Sequence, residues 1–333
     1  MAVPASNQLQ AALREVEQAE ASDAEKAEML MEIAMGLQVR PRTPDDLKAA
    51  VALYRRALEL VPADDNPLLN ARITARLATA LQALPGEDAA PLQEARTLLQ
   101  QQALPVLRTH GTPEETAEAE MNLGVILQAL AGAGLAPMRD AIAAYQRALR
   151  VFDGEKFPRE HAILQNNLAT AFLAMPMNDD SGKMREALAV QAFEAGLKAV
   201  NIIDHPVEYA MLQNNLGNAL QQVRSSHPLE NRQRALQAYD EALKVRTRHD
   251  APLPHANTIA NKAMCLLGLP DDMEHPQRGN PSNTATARAL LREAAEIFRQ
   301  HGEPGKAAAV EQVLQELEVA MSGQQRSEAV VKR

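Results

Sequence analysis

Two groups of side chains have the types that chemistry needs. Cys265 and His255 lie ten residues apart on one segment, and a thiol beside an imidazole can make a nucleophile. Cys265, however, follows the core-type position of an apolar-periodic segment, where a free cysteine behaves as a small buried hydrophobe. The acidic turn Asn178, Asp179 and Asp180, and the group Asp271, Asp272, Glu274 and His275, offer oxygen and nitrogen ligands. Neither has the spacing of a recognised metal loop, so both read as solvated loops. No glycine-rich phosphate loop follows a strand, because no segment reads as a strand. The expectation is a protein that is not an enzyme and holds no cofactor or metal.

The elements that position these residues follow from composition. The 333 residues include no tryptophan and only 3% aromatics, too little bulk for one large core. Ala and Leu with some Met supply the apolar content, which suits helices packed closely through small side chains and gives an all-α expectation. A net charge of −9 repels phosphate backbones and anionic membranes, so neither nucleic acid nor membrane is an expected partner. One cysteine makes no intramolecular disulfide, residues 1–10 lack a signal-peptide pattern, and no run approaches the roughly 18 apolar residues of a membrane span. The localisation expected is cytoplasmic.

From Ser22 onward, apolar-periodic segments alternate with Pro, Gly, Asp and Asn clusters, the pattern of antiparallel helix pairs. First helices are predicted at residues 23–39, 65–84, 113–131, 158–175, 206–224 and 253–268. Second helices are predicted at 43–61, 90–109, 137–152, 183–203, 229–249 and 284–301. A small residue marks each first helix (Ala34, Ala78, Gly124, Ala169, Gly217, Ala263) and each second helix (Ala57, Ala103, Ala148, Gly196, Ala242, Ala294).

From each second-helix marker to the next first-helix marker the distance is always 21 residues, whereas within pairs it varies as 23, 25, 24, 27, 25 and 31. A fixed packing unit therefore joins the second helix of one pair to the first helix of the next, since one inserted residue would rotate a helix face by about 100°. Insertions fall in the turns inside pairs, the longest being the surface loop at residues 268–284. The organisation expected is an arm or short helix at 1–18, an α-solenoid of about six pairs at 19–302, a capping helix at 303–321 and a disordered tail at 322–333.

Asn122-Leu123-Gly124 and Asn215-Leu216-Gly217, followed by Ala-x-x-x-Tyr-x-x-Ala from Ala50, Ala141 and Ala235, resemble the tetratricopeptide repeat. That family has a period of about 34 residues, whereas the repeat here is about 45, so these look like long-helix variants. They are similar to arrays in bacterial proteins that carry a caspase-like (CHAT) domain, whose repeats also read Gln-Asn-Asn-Leu-Gly-Asn-Ala-Leu, then Arg-Thr-Arg and a Pro-containing turn. The likeness covers residues 119–264 best and weakens in the first two pairs, where Glu32 and Arg76 replace the Asn. The sequence leaves no room for the caspase-like domain.

The resemblance implies a TPR-like superhelix with a concave groove lined by first helices. Carried over by position, the groove reads Glu28, Met31, Met35 and Gln38, then Arg72, Ala75, Thr79 and Gln82, then Glu118, Met121, Val125 and Gln128. It continues with Ile163, Asn166, Thr170 and Leu173, then Met211, Asn214, Asn218 and Gln221, then Asn257, Ala260, Met264 and Leu267. Adaptable Met and two-way hydrogen-bonding Asn suit a peptide. Met121, Asn166, Thr170, Met211, Asn214, Asn218, Gln221, Asn257 and Met264 are thus the candidate partner-binding residues. The competing reading is that Met fills gaps between helices and Asn solvates the wall.

Asn122, Asn167, Asn215 and Asn261 occupy one position in four repeats and are assigned to contacts between helices, and Gly124 and Gly217 to close helix approach. A basic carboxylate clamp of the kind some family members carry is not expected, because Arg72 stands alone at the equivalent positions. Arg232, Arg234, Lys244, Arg246 and Arg248 form a basic docking patch or merely a cationic helix end.

The function expected is a bacterial, non-catalytic scaffold or adaptor that binds a protein or peptide segment in the groove and assists assembly or regulation of an enzyme or complex. The alternative is a sensor of a small molecule or signalling peptide, and an enzyme on the helical array has least support. Copies could also associate through the apolar ends of the array.

Overall fold

Proline opens α-helices throughout this chain, where its fixed φ suits the first helical residue and its missing N–H would be unsatisfied anyway. In a computed structural model, residues 5–175, 181–225 and 227–331 are described. After α1 (Ala5–Gln18) come α2 (Asp23–Val39) and α3 (Pro44–Leu60). Next is α4 (Pro67–Gln82), paired with a long helix made of α5 (Ala90–Thr97), a π-helical segment (Leu98–Ala103) and α6 (Leu104–His110). Then follow α7 (Pro113–Gly132) with α8 (Met138–Ala148), α9 (Pro158–Ala174) with α10 (Ser181–Ala199), and α11 (Pro206–Gln222) with α12 (Pro228–Leu243). α13 (Pro252–Leu267), α14 (Pro281–Gln300) and α15 (Pro304–Val331) complete the chain.

The protein is all-α, an α-solenoid of antiparallel pairs that pack in sequence order, with no strand among the described residues. It resolves into two compact units, Met1–Lys156 with α1–α8 and Phe157–Arg333 with α9–α15. Capping boxes also fix the starts of α2, without a proline, and α7, beside Pro113: the Ser22 and Thr112 hydroxyls accept from the N–H of Glu25 and Glu115, whose carboxylates accept back from the Ser22 and Thr112 N–H.

The repeat core is one contact made six times. A small residue of the first helix (Ala34, Ala78, Gly124, Ala169, Gly217, Ala263) and a large residue of the second (Tyr54, Leu99, Tyr145, Phe193, Tyr239, Leu291) are buried in each pair. A Cβ on Gly217 would stand 2.6 Å from Cε1 of Tyr239, and one on Gly124 would overlap the Tyr145 ring. The helical cost of glycine is therefore offset by ring burial. Gly196 does the same on the other side of the fixed unit, where an added Cβ would lie 3.0 Å from the Leu212 side chain.

The π-helical segment keeps that register. From the large core residue to the second-helix marker the spacing is three in the other pairs, as from Tyr145 to Ala148, but four from Leu99 to Ala103. The wider turn absorbs the additional residue, so Leu99 and Ala103 are both fully buried.

Some boundaries differ from the sequence expectation. Second helices α8 and α12 end at Ala148 and Leu243, several residues before 152 and 249, because the chain tightens into turns closed by Val151 N to Ala148 O at 3.0 Å and Val245 N to Ala242 O at 3.2 Å. Those turns aim the residue four beyond the marker inward. α15 packs on α13 and α14 through Ala307, Val310, Val313, Leu314 and Leu317. It continues through residues 322–331, where a disordered tail was expected, since the lone Gly323 costs only about 1 kcal/mol and no proline intervenes. Residues 1–4 and 332–333 of the predicted arm and tail lie outside the described residues.

Candidate functional site

In Met1–Lys156 the first helices α2, α4 and α7 enclose a pocket of about 220 Å³. Met31 and Met35 supply its α2 wall, and Ala75, Leu107 and Ala119 add apolar surface. Its charges are ordered. Arg72 Nε donates to Glu115 at 2.6 Å and Arg76 Nη1 to Glu118 at 3.0 Å, so each α4 guanidinium is tied to an α7 carboxylate. Burial pushes the Glu115 carboxyl up, but the Arg72 guanidinium and the Thr112 N–H together outweigh it and hold it below the usual carboxylate range. Thr79 accepts from Gln38 Nε2 at 2.9 Å, and Gln38 Oε1 accepts from the Tyr54 hydroxyl at 3.0 Å. Of the positions carried over to the groove, Met31, Met35, Arg72, Ala75, Thr79 and Glu118 line this pocket, whereas Met121 is half-buried beside it on α7.

In Phe157–Arg333 the predicted groove residues have largely structural partners. Asn166 and Asn214 are 8% and 7% exposed, not open wall amides. Asn215 Nδ2 donates to Asn166 Oδ1 at 2.7 Å, and Asn261 Nδ2 to Asn214 Oδ1 at 3.3 Å. Within helices, Asn166 donates to Asn167 at 3.2 Å and Asn214 to Asn215 at 3.0 Å. The result is an amide ladder from α9 through α11 to α13. The positions assigned to helix contacts, Asn167, Asn215 and Asn261, and two positions assigned to the groove are thus one network. Packing of successive first helices puts both rows in the seam, which leaves Asn166 and Asn214 little open surface.

The groove position four residues beyond the first-helix marker is also architectural in most pairs, the exception being the exposed Gln82 of the second. Gln221 Nε2 donates to the Tyr239 hydroxyl at 2.6 Å, and that hydroxyl donates to Asn218 Oδ1 at 2.7 Å. Tyr145 donates to Gln128 at 2.8 Å. Where the second helix carries Phe193 or Leu291 instead, the same first-helix position is Leu173 or Leu267, packed in the same apolar cluster. A buried phenol needs a partner and a phenyl ring does not. The pairing holds in five pairs and fails in the second, where the exposed Gln82 corresponds to Leu99, and because the two positions lie on different helices no single-helix pattern reveals it.

Thr170 is half-buried and its hydroxyl donates to Asn167 O at 2.9 Å. Met211 and Asn257 are half-buried, and Met264 is 46% exposed, the most open of the predicted set.

Most of the residues of the basic patch already have acidic or polar partners. Arg234 pairs with Glu194 at 2.7 Å, Lys244 with Glu241, and Arg248 with Glu293 and Glu296 at 3.6 Å each. Arg232 lies against Gly268, and Arg246 is half-buried with Nη1 donating to the Thr258 hydroxyl at 3.0 Å.

Cys265 and His255 are separated by about 15 Å of helical rise along α13. The Cys265 thiol is fully buried, contacts Arg232 O at 3.3 Å, and is pushed up to about 11 by burial. His255 Nδ1 lies 2.9 Å from Arg246 O and Nε2 3.4 Å from Glu293. The acids of the long loop are spent locally: Asp271 caps α14 by accepting from Ser282 N and Asn283 N at 2.8 and 2.7 Å, and Asp272 accepts from His275 and Arg278. The acidic turn at 178–180 lies outside the described residues, among which no group of His, Cys, Asp or Glu has metal-site geometry and no helix is long and apolar enough to cross a membrane.

Among solved structures, the chain is similar to the Rap protein complexed with competence and sporulation factor: TM-score 0.50, 13% identity, covering 96% of this chain and 81% of that one. It is also similar to BtubC (BKLC) from P. vanneervenii, with TM-score 0.44, 17% identity, and coverage of 85% of this chain and 92% of that one. At 13% identity the Rap likeness carries the helical-repeat fold and nothing finer. No family model matches the chain, and no curated protein matches it in sequence.

Proposed function

We propose that the protein is a non-catalytic helical-repeat scaffold of the long tetratricopeptide type that binds a segment of a protein or peptide on the inner face of its first helices. The observation that carries this reading is the pocket walled by Met31, Met35, Arg76 and Glu118, which joins apolar depth to ordered charge of both signs. Met accommodates differently shaped apolar side chains, while the Arg–Glu pairs can exchange partners with a polypeptide's own charges. The Rap protein, similar in fold, is itself complexed with competence and sporulation factor. A volume of about 220 Å³ suits one inserted side chain better than a free metabolite, whose sites usually exceed about 300 Å³. A small-molecule sensor is the second reading, since clefts of about 570 and 400 Å³ lie elsewhere on the chain. Assisting the assembly or regulation of an enzyme or complex is the role that such a scaffold would serve.

A photo-crosslinking residue in place of Met35, used in cells, tests the reading. A discrete protein or peptide adduct that disappears when Arg76→Glu is added is the expected result. Adducts no different from those formed with the same residue at exposed Arg150 would reject it.

A further inference from the structure

The residue four beyond each second-helix marker, still helical at Leu107 and Phe298 and at or past the helix end elsewhere, is buried and apolar in five repeats: Val61, Leu107, Phe152, Val200 and Phe298 at 3%, 2%, 5%, 5% and 2% exposure. In the fifth repeat it is Arg246. Its contact on the next first helix departs in the same way. Thr258 stands where Ile73, Ala119, Leu164 and Leu212 are buried, and Val200 and Leu212 share one apolar cluster. An apolar contact has thus become an Arg–Thr pair, with the Thr258 hydroxyl between Arg246 Nη1 at 3.0 Å and Asn214 Oδ1 at 3.1 Å, at the head of the amide ladder.

The pair leaves charge uncompensated. Several neighbouring arginines face carboxylates: Arg159 faces Glu208, Arg224 Glu186, Arg234 Glu194, and Arg248 Glu293 and Glu296. Among the described residues Arg246 has the Thr258 hydroxyl alone, and burial pulls its guanidinium below the usual value with no acid opposing it. The guanidinium is half-buried without a counter-charge, and the donors that Thr258 does not take reach solvent at the seam.

We infer that Arg246 is a receptor for a carboxylate on a polypeptide partner, a C-terminus or an Asp or Glu side chain, bound in the seam between α11 and α13 beside Thr258. One planar, singly charged carboxylate matches one guanidinium fork. A phosphate dianion would leave excess negative charge on a chain already at −9. The site lies in Phe157–Arg333 and is separate from the pocket of Met1–Lys156.

The test uses the full chain on an array of random decapeptides immobilised by their N-termini, each as free acid and as amide, with phosphoserine peptides as a third set. Wild type is expected to retain peptides that carry a free C-terminus or an Asp or Glu, and to lose at least about tenfold in binding when that group is amidated or made Asn or Gln. Arg246→Leu, which restores the repeat's apolar residue, should erase this preference while melting no lower than wild type, and Arg246→Lys should keep part of it. Acidic peptides held equally by wild type and Arg246→Leu, no acid preference, preference for phosphoserine, or no capture at all would each overturn the inference. Equal capture that is still abolished by Arg76→Glu would do so while leaving the pocket reading intact.

Discussion

Tyr239 of α12 and Gln221 of α11 are joined at 2.6 Å across a helix pair, with the phenol fully buried and its proton given to Asn218 at 2.7 Å. The Leu173–Phe193 pair is the same contact without its polar atoms. Tyr239→Phe should therefore cost about 1–2 kcal/mol by leaving the two amides without their partner. Adding Gln221→Leu should return part of that loss, a coupling that urea midpoints of the two single variants and the double variant would measure. Additive effects would show that the hydrogen bond is not what couples the helices.

Glycine in these helices should respond to alanine with opposite signs at two sites. At Gly217 a Cβ would meet the rigid Tyr239 ring at 2.6 Å, so overpacking of about 1–3 kcal/mol should exceed the helical gain of about 1 kcal/mol. Gly36 has nothing within 4 Å of its Cβ position, so Gly36→Ala should stabilise. Calorimetric melting of both variants checks the pair of signs, and a stable Gly217→Ala would refute the close-approach account.

Asn214 is 7% exposed and its Oδ1 lies 3.3 Å from Asn261 Nδ2 and 3.1 Å from the Thr258 hydroxyl. Asn214→Ala should lower stability by about 1–3 kcal/mol because buried partners lose their bonds. Asn257→Ala, at a half-buried site, should stay within about 0.5 kcal/mol. Equal thermal shifts for the two variants would argue against the ladder as a structural element.

Alkaline stability should be governed by buried phenols and the thiol. Burial raises Tyr54 from 10.0 to about 12 and Cys265 from 9.0 to about 11, and it also raises Tyr145 and Tyr239. The unfolded chain loses these protons first, so their stabilisation is complete below about pH 9 and is lost as pH climbs through 11 and 12. Urea midpoints should fall steeply above pH 10.0, and less steeply for Tyr54→Phe. A midpoint unchanged at pH 11 would contradict the burial of these groups.

Cys265, at 0% exposure, should resist iodoacetamide at neutral pH in the native protein and react readily in urea. Mass spectrometry reads the outcome. Fast native labelling would mean that the thiol is open and would reopen the question of its chemistry.

Much of the fold was legible in one dimension. The constant 21-residue spacing between markers, the prolines at helix starts and the clustered turns were enough for the all-α solenoid and its pairs, because a helix face tolerates no slip in register. The roles of Gly124 and Gly217 were legible for the same reason. The candidate site was legible only as a list of positions facing one way. Whether such a residue is open depends on what the next helix places over it. Packing between helices buried Asn166 and Asn214, engaged Gln128 and Gln221 with phenols, and left Met31, Met35, Arg76 and Glu118 around an actual pocket. Arg246 stood in the sequence as one more cation at a helix end. Only the inward turn after α12, which sets it in a seam that other repeats fill with Val, Leu or Phe, distinguishes it from its paired neighbours, since desolvation is a property of surroundings rather than of the residue.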